Sequence, residues 1–461
     1  MVINMIFTSK IKELFGVEPA VSLEMSKAVD EAIRTYKGKP RWVSKKKAVK
    51  TINFAKSLCS ETARLCMLGT KITIDGSSRA KWLQEQIDEV YFKIREWVEL
   101  GCAYGTVIFK PSTDGIDLFT AEDFVITEYK NKSITGVVFT YRKKQDEKYY
   151  TRFEYHHYVS KEQYTVSNRC FIGDTFNSVE EPIDIKKSPW SELAEDSNIT
   201  GMTRPAYGVF RTPHANNIDI NSAVGLPVFS EAFTELEDLD IAYSRNSKEV
   251  DDSKRILLLD SDRMLPSAGI KIKEVQSNFE ANREQMGLPD MVKNVWGDGT
   301  NTFYQEINPQ LNTEMRLKGI DALLSQIGYK VGFSNGYFVF NESTGIQTAT
   351  GVEAEQQRTI QFIKDVRDKL EECLDDVVMG LDMYATAYGL SPNGKYEIVY
   401  DFGDITYNAS EEKARWWGYV VAGKVPAWMY FEKFEGMSIE DAKAMVLEAQ
   451  PKEPTLFGGE E

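Results

Sequence analysis

The strongest periodic pattern in the sequence follows Thr350. Apolar residues recur there at steps of three and four, which is the spacing of one face of an α-helix. The stripe consists of Ile360, Ile363, Val366, Leu370, Cys373, Val377, Leu381, Tyr384 and Tyr388, and charged residues such as Arg367 occupy the other sides. Thr350 and Glu353 have the spacing of a capping box, so a helix of about 37 residues, on the order of 55 Å, is predicted to begin near Val352.

A shorter helix is predicted upstream of this long one. It begins after Asn312 or Thr313, either of which can cap it, and its apolar side is formed by Ile320, Leu323, Leu324, Ile327 and Val331. Residues 332–350 lie between the two helices and are rich in Gly, Asn, Ser and Thr. This composition predicts a mobile loop.

The N-terminal half of the chain changes its period from helical to alternating. Helical patterns cover about residues 8–36, 48–68 and 82–100. Short β runs then appear at residues 106–109, 116–119, 124–127, 134–141, 149–155 and 164–166, which predicts one antiparallel sheet. A polar region, about residues 173–203, follows this sheet. His156 and His157 end one strand, so their rings are expected on opposite faces.

The middle of the chain predicts a stalk that carries a small module. An acidic helix is expected from Leu226 to Lys248, and strands are expected at residues 255–260 and 269–275. This mixed module lies between the acidic helix and the helix after Asn312, so the two helices should run side by side. After the long helix the sequence predicts a strand over residues 396–402, helices over 410–423 and 438–449, and a disordered tail.

Composition excludes several classes of protein. The net charge is −15, which argues against a broad basic grip on nucleic acid but not against a channel through which it slides. A basic stretch at residues 37–50 is more typical of a connector or an inter-subunit contact. No apolar run approaches the roughly 20 residues of a membrane span, and no signal peptide is evident, so synthesis and use in the cytoplasm are expected.

The sequence contains no recognisable catalytic motif. The chain has 5 Cys without a CxxC pair and 3 scattered His, which is not a zinc pattern. Phosphate-binding, nucleophile-elbow and metalloprotease motifs are also missing from the sequence. We therefore expect a non-enzyme without catalytic residues, metal or cofactor.

The order of these parts resembles the portal proteins of tailed bacteriophages, of the siphovirus type. Four short segments carry the resemblance. They are residues 99–110 (ELGCAYGTVIFK), residues 345–353 (GIQTATGVE), residues 400–404 (YDFGD) and residues 421–423 (VAG). The first resembles the entry to the portal wing sheet, and the second resembles the Thr-Ala-Thr entry to the long helix.

The resemblance implies an α+β, portal-like fold with a β-rich wing, a helical stem, a small mixed clip, a long wing helix and a short helical crown. The implied boundaries are wing 1–215, first stem helix 216–251, clip 252–311, second stem helix 312–333, tunnel loop 334–351, long wing helix 352–388, and C-terminal wing or short crown with a disordered tail 389–461. The chain has little room for the larger crown of some relatives.

The resemblance also implies which residues meet DNA. Candidates in the tunnel loop are Asn335, Tyr337, Phe338, Phe340, Asn341, Glu342 and Gln347. Candidates on the lumen side of the stem are Glu231, Glu235, Asp238, Lys318 and Asp321. An alternative for the loop aromatics is that they pack under the wing as part of the core.

The implied function is a homo-oligomeric ring, dodecameric in the virion, at the capsid portal vertex, assembled in the host cytoplasm. Its implied partners are double-stranded DNA, the terminase large subunit, the major capsid and scaffolding proteins and the head-tail adaptor, with no membrane. Twelve copies at −15 carry about −180, so phosphates would be repelled and DNA would slide. The long apolar stripe, hard to cover within one modest domain, also predicts an oligomer.

Two other functions stay open from the sequence. A capsid scaffold or tail-adaptor protein would self-assemble without a DNA channel, and a ring with an open axial hole distinguishes the portal from both. A nucleic-acid enzyme with an unfamiliar site would show metal-dependent turnover of DNA.

Overall fold

The computed structural model describes residues 2–43, 49–112, 115–176, 178–252, 256–260, 291–295, 304–307, 312–339, 349–403, 409–422, 424–435 and 437–448. It contains both helices and sheets, which confirms the α+β class. The chain divides into two compact units. The first comprises Met1–Met67 with Ile72–Tyr400, and the second comprises Leu68–Lys71 with Asp401–Glu461.

The helices are numbered in chain order. They are α1 Val2–Phe15, α2 Leu23–Tyr36, α3 Phe54–Cys66, α4 Ser78–Tyr104, α5 Phe233–Asp252, α6 Thr313–Val331, α7 Ala349–Ala387, α8 Ala409–Val421, α9 Ala427–Glu435 and α10 Ile439–Glu448. The strands are β1 Lys71–Gly76, β2 Thr106–Ser112, β3 Gly115–Phe119, β4 Phe124–Lys130, β5 Ser133–Gln145, β6 Lys148–Ser160, β7 Gln163–Gly173, β8 Glu181–Ile183, β9 Asp196–Ile199, β10 Gly208–Arg211, β11 Ile256–Asp260, β12 Met291–Val295, β13 Tyr304–Ile307 and β14 Tyr396–Asp401.

The long helix α7 begins earlier than predicted. It has 39 residues and starts at Ala349, so its axis is about 58 Å long. An N-cap residue has a non-helical backbone, whereas Thr350 lies one residue inside the helix. The capping-box prediction at Thr350 and Glu353 is therefore wrong, although the helix itself is confirmed.

The apolar stripe of α7 is largely buried within a single chain. Its middle part, from Ile363 to Leu381, is buried, and α7 packs against α3, α4, β2 and β10. The prediction that one domain leaves this stripe uncovered is therefore wrong, and the oligomer stays a prediction that this stripe does not support. Arg367, predicted on the polar side, is buried as well, because its guanidinium donates to the backbone oxygens of Leu65 and Cys66 at 3.0 and 2.9 Å. These carbonyls end α3 and attract a cation.

The predicted single sheet is two sheets. Strands β10, β2 and β3 form one antiparallel sheet, and β4 to β8 form another in sequence order, with β9 also paired to β7. The separation occurs at a turn between β3 and β4, where the Asp123 N–H bonds to the Thr120 oxygen at 2.8 Å. The polar region after residue 173 was predicted to separate the sheet from the next segment, but it contributes β8 and β9 to the second sheet.

Shorter elements differ from the prediction where a turn intervenes. The N-terminal helical region is split, because Gly16 has a left-handed backbone (φ 68°) and Ser22 caps α2 by accepting from the Met25 N–H. Strand β1 was not predicted and pairs with β14. The predicted strand at residues 269–275 lies outside the described residues.

The second unit contains α8, α9 and α10. Helix α9 was missed by the sequence analysis, whereas the predicted cap at Ser438 is confirmed, since its hydroxyl accepts from the Asp441 N–H at 3.1 Å. The predicted tail, residues 450–461, lies outside the described residues. Among the helices that the structure describes, none combines the length and the apolarity needed to cross a membrane.

Candidate functional site

Helices α5 and α6 form an antiparallel pair with an ion pair near each end. Glu235, near the start of α5, binds Lys330, near the end of α6, at 2.6 Å. At the opposite end Glu249 binds Arg316, and it also accepts from the backbone N–H of Asn312 at 3.0 Å. Each pair joins a carboxylate of α5 to a cation of α6, so the pairs fix the register of the two helices.

Helix α5 begins seven residues later than predicted. Residues 226–228 are held instead at the junction of α4 and β2, where the Leu226 oxygen accepts from the Thr212 hydroxyl at 2.5 Å and the Val228 N–H donates to the Cys102 oxygen at 3.0 Å. The Leu226 oxygen is thus already bonded to Thr212, whereas a helix that began at Leu226 would use this oxygen as the acceptor of its first turn. A short 3₁₀ turn, Ser230–Ala232, then leads into α5 at Phe233.

A buried carboxylate holds α5 on a second side. Asp240 accepts from the indole N–H of Trp42 at 2.8 Å and from the backbone N–H of Ile52 at 3.0 Å. One turn further along, the Ser244 hydroxyl accepts from the Lys50 N–H at 2.8 Å. The basic stretch at residues 37–50 thus contacts α5 at two points, through Trp42 and through Lys50.

The predicted lumen residues of the stem do not form one free acidic row. Glu235 is neutralised by Lys330, whose ammonium also donates to the backbone oxygen of Glu231 at 3.0 Å. Glu231, Asp238 and Lys318 are exposed, and Asp321 is partly buried. Part of the negative charge of α5 is therefore neutralised within the chain. Among the five candidates, two carboxylates and one ammonium are exposed.

The chain leaves α6 through a left-handed glycine and is then bonded to α7. Gly332 has φ 119°, and a Cβ there would lie 2.8 Å from Phe362. The backbone N–H of Ser334 donates to the Thr359 hydroxyl at 2.8 Å, and the Thr359 N–H donates to the Ser334 hydroxyl at 3.3 Å. Both side chains are buried, so this reciprocal pair fixes the first residues of the predicted loop.

An aromatic cluster continues from this attachment. Phe333 contacts Phe338 and Phe362 with ring centroids 4.8 and 5.6 Å apart, and Phe338 contacts Phe54 of α3 at 5.3 Å. The Tyr337 hydroxyl donates to Glu61. Burial and the Glu61 carboxylate raise the pKa of Tyr337 to about 12, so this phenol remains the proton donor.

The structure thus places part of the predicted tunnel loop against the helices. Tyr337 and Phe338 are partly buried and belong to the aromatic cluster, so for these two residues the alternative of packing as part of the core holds. Asn335 is exposed. The remaining loop candidates, Phe340, Asn341, Glu342 and Gln347, lie outside the described residues. Whether any loop residue meets DNA stays a prediction.

A buried ionic cluster between the two sheets was missed by the sequence analysis. Glu154 binds Lys110 at 2.8 Å, Arg152 at 2.9 Å and the Nε2 atom of His156 at 2.7 Å. The Tyr164 hydroxyl lies 2.5 Å from Nδ1 of His156. Burial opposes ionisation of Glu154, but Lys110 and Arg152 lower its pKa well below the usual value.

The signal that could have revealed this cluster lies in β6. Arg152, Glu154 and His156 alternate along the strand, so they share one face. His157 lies on the other face, partly exposed, with Nε2 3.0 Å from Glu128, as predicted for adjacent strand residues. Because every member of the cluster is buried, we assign it to joining the sheets.

A second missed residue is Arg79, whose side chain is fully buried at the start of α4. Its guanidinium donates to the carboxylate of Asp382 at 2.8 Å, to the side-chain oxygen of Asn393 at 2.8 Å and to the Ser391 backbone oxygen at 2.7 Å. It thereby ties the first turn of α4 to the end of α7. A single arginine has no distinctive sequence pattern that would have predicted this.

A groove of about 520 Å³ borders the C-terminal half of α7. Its lining contains Met202, Met379 and Met383 together with Thr200, Asp382 and Ala387. Beneath it lies a small core cluster that includes Tyr164 and Ala206. Among the described residues, no group of three or more His, Cys, Asp or Glu side chains could hold a metal ion.

The chain has a distant likeness to solved structures but none to known sequences. No protein-family model matches the sequence, and no curated protein matches it. Among solved structures, the chain is similar to a chain from the "Virion of native gene transfer agent (GTA) particle". That likeness has a TM-score of 0.45 and 11% identity, over 95% of this chain and 99% of the other.

Proposed function

We propose that the chain is the portal protein of a tailed-bacteriophage head or a related particle. Copies of it would form a ring at one capsid vertex, and double-stranded DNA would pass through the ring during packaging and ejection. The proposed partners are the terminase large subunit, the major capsid and scaffolding proteins, and later the head-tail adaptor.

The observation that carries this proposal is the path of the chain from α5 to α7. The antiparallel pair α5 and α6 brackets residues 253–311, which contain the mixed sheet β12-β11-β13. The chain then passes from α6 through the bonded residues Ser334 and Thr359 into α7, which packs on β2 and β10. This order matches the stem, clip, stem, tunnel loop and long wing helix that the resemblance implies.

The contacts suit a part that must stay rigid under load. Ion pairs at both ends oppose sliding of α5 along α6, and Asp240 opposes rotation of α5 by holding Trp42 and Ile52. Helix α7 joins α3, α4 and the sheet β10-β2-β3 along its length. A stem anchored in this way would keep its diameter while DNA moves.

The charge of the chain supports sliding instead of gripping. A protein binds DNA tightly when its Lys and Arg side chains neutralise phosphates and release counterions. The net charge of −15 and the exposed Glu231 and Asp238 on the α5 side of the stem would give DNA few such contacts. A channel with this charge would hold DNA weakly at every position, which translocation requires.

Electron micrographs of the purified full-length chain test the proposal. We expect rings with an open axial hole, and light scattering should give a mass of many chains at micromolar concentration and low salt. Closed shells would favour the capsid scaffold, and rings without an opening would favour the tail adaptor. A single-chain mass without rings would overturn the proposal.

A further inference from the structure

His214 lies where three separate parts of the first unit meet. Its ring stacks on Phe362 of α7, with ring centroids 5.5 Å apart and planes inclined by 28°. The ring also donates a hydrogen bond to the backbone oxygen of Val331, the last residue of α6. The next residue, Gly332, approaches the same Phe362 ring, to which a Cβ would lie at only 2.8 Å. We call this meeting point of His214, Val331, Gly332 and Phe362 the His214 joint.

The segment that carries His214 is held in place on both sides of it. Two residues earlier, the buried Thr212 hydroxyl donates to the Leu226 oxygen at 2.5 Å. Two residues later, the buried amide of Asn216 donates to the Val224 oxygen at 3.0 Å. A change of charge on the imidazole therefore acts on α6 and α7 and is not absorbed by movement of its own segment.

The geometry of the joint suits only the neutral imidazole. The Nδ1 atom of His214 is buried, and none of the described residues forms a hydrogen bond with it. The donor to Val331 is therefore Nε2, and Nδ1 of the neutral ring carries no proton. Protonation would create a second N–H without an acceptor and would place a charge beside the buried side chains of Val331 and Phe362. Both changes are costly in a buried site.

Charged groups surround the joint without satisfying Nδ1. The carboxylates that act on the imidazole are Glu231, just before α5, and Asp365 of α7. The cation next to them is Lys330 of α6, whose ammonium donates to the backbone oxygen of Glu231 at 3.0 Å. Burial lowers the pKa of His214, and it outweighs Glu231, the bond to Val331 and Asp365, which raise this pKa. A proton therefore binds His214 less readily in the closed joint than in an opened joint, where the ordinary pKa near 6.5 applies.

We propose that His214 is a pH-sensitive wedge, which opens the joint between α6 and α7 when its ring takes up a proton. Opening weakens the attachment that follows the joint, in which Ser334 and Thr359 bond to each other and Phe333 packs on Phe362. This attachment fixes the start of the predicted tunnel loop, so acid frees the start of that loop. The inference concerns one folded chain, and it holds whether or not copies of the chain form a ring.

Hydrogen exchange followed by mass spectrometry tests the wedge. The reporter peptide covers residues 331–338, in which the N–H groups of Gly332 and Phe333 both donate to the Gly328 oxygen. The reference peptide covers residues 107–109 of β2, which are fully buried. After correction for the intrinsic effect of pH on exchange, we expect exchange in the reporter to rise about three- to tenfold from about pH 7.5 to about pH 5.5, because an opened joint binds the proton near pH 6.5. Exchange in the reference should rise less.

Substitutions assign the effect to His214. His214→Gln keeps a donor for the Val331 oxygen but takes up no proton, so exchange in the reporter should then rise no more than exchange in the reference. His156→Gln is the matched control, because it removes a different buried histidine and leaves the joint unchanged. It should keep the rise in the reporter. Circular dichroism confirms that both variants fold, and the two peptides of the unmodified chain test the opening without any substitution.

Two results would overturn the wedge. One is a reporter peptide whose exchange depends on pH no more than that of the reference peptide in the unmodified chain. The other is a full rise in folded His214→Gln, since a different group would then be the one that titrates. Neither result concerns the proposed function, which the rings in micrographs decide separately.

Discussion

The guanidinium of Arg79 donates to the carboxylate of Asp382 at 2.8 Å, although the Arg79 side chain is fully buried and the Asp382 side chain is partly exposed. The buried cation is thus compensated by a fork of hydrogen bonds to the end of α7 and to the turn after it. Removing the guanidinium leaves carbonyl and carboxylate oxygens without their donor, which is more costly than never having buried them.

Replacing Arg79 should therefore destabilise the first unit strongly. We expect Arg79→Ala to lower the free energy of unfolding by about 3–5 kcal/mol, and Arg79→Lys to lower it by less, because an ammonium cannot reproduce the planar fork. Urea denaturation measures both. Lys81→Ala, two residues away on an exposed position, should change the stability by no more than about 0.5 kcal/mol. Equal stabilities of Arg79→Ala and Lys81→Ala would contradict the role of Arg79.

The buried ionic cluster around Glu154 should make the stability of the chain depend on pH. Burial lowers the pKa of His156 in the folded chain, so the unfolded chain binds a proton first as the pH falls below about 6.5, and stability then falls by up to about 1.4 kcal/mol per pH unit. The pKa of Glu154 is lower in the folded chain than its value near 4.3 in the unfolded chain. Ionised Glu154 therefore adds stability above about pH 4.3, and this stability is lost as the pH falls through the pKa of the folded chain. Burial opposes the charge of Lys110, but the Glu154 carboxylate raises the pKa of Lys110 in the folded chain. The stability that charged Lys110 adds is therefore present below about pH 10.4 and is lost as the pH rises through the pKa of the folded chain.

Urea denaturation between about pH 5 and 7 tests the His156 part of this prediction. His156→Gln should be less stable but should show a shallower slope of stability against pH. His157→Gln, at a partly exposed position on the other face of β6, should keep the slope of the unmodified chain. Identical slopes for the unmodified chain and His156→Gln would show that His156 is not the titrating group.

Two glycines should respond to alanine with opposite signs. A Cβ at Gly208 would overlap the backbone oxygen of Cys373, so Gly208→Ala should force β10 away from α7 and cost about 1–3 kcal/mol. A Cβ at Gly319, inside α6, meets no atom within 4 Å, so Gly319→Ala should stabilise by about 0.5–1 kcal/mol. Thermal and urea unfolding measure both. A neutral Gly208→Ala would mean that β10 and α7 are not in close backbone contact.

Shortening the predicted tunnel loop should separate DNA handling from assembly. Replacing residues 341–347 by a Gly-Ser bridge should leave α6, α7 and the ring intact, because the described attachment to α7 ends before this segment. DNA packaging or retention should fail, measured by nuclease protection in the same preparation that is imaged for rings. Phe338→Ala is the comparison, since it should cost about 2 kcal/mol of stability by opening the aromatic cluster. Normal packaging by the shortened chain would show that these residues do not handle DNA.

Free DNA should bind weakly and without cleavage. The negative charge of the chain leaves few phosphate contacts, so we expect affinity that disappears as salt is raised to the physiological range. A gel-shift titration with a random duplex measures this, and the same samples incubated with Mg²⁺ report any cleavage. Nanomolar binding at physiological salt would favour a protein that grips DNA, and metal-dependent turnover would favour an enzyme.

Elements with a long, local hydrophobic period are predictable from the sequence. Helices α6 and α7 and strands β2 to β7 were found because their own residues alternate at a fixed period. Elements whose bounds are decided by distant residues are not. The start of α5 depends on the hydrogen bond that the Thr212 hydroxyl donates to Leu226 and on the one that the Val228 N–H donates to Cys102, and no local pattern reveals them.

The candidate site was recovered in outline only. The acidic residues of α5 were identified, but pairing of Glu235 with Lys330 and burial of Asp240 beside Trp42 depend on packing between separate elements. Tyr337 was placed in the loop from its neighbouring Gly and Asn, whereas its hydrogen bond to Glu61 depends on where α3 lies. The spacing of residues along the sequence does not reveal which side chains from distant parts of the chain will pair.

The hydrogen bonds between Arg79 and the end of α7 can form only late in synthesis on the ribosome. Asp382 follows Arg79 by 303 residues, and β14 begins 325 residues after the start of its partner β1 (396 − 71). At roughly 5–20 residues per second, the nascent chain needs on the order of 15–60 s to translate its way from the cation to the partner carboxylate. A product released before that point lacks the end of α7 and with it the Asp382 oxygens that accept from Arg79. Chains that terminate before Asp382 should therefore leave the buried Arg79 guanidinium uncompensated and should not fold the first unit stably.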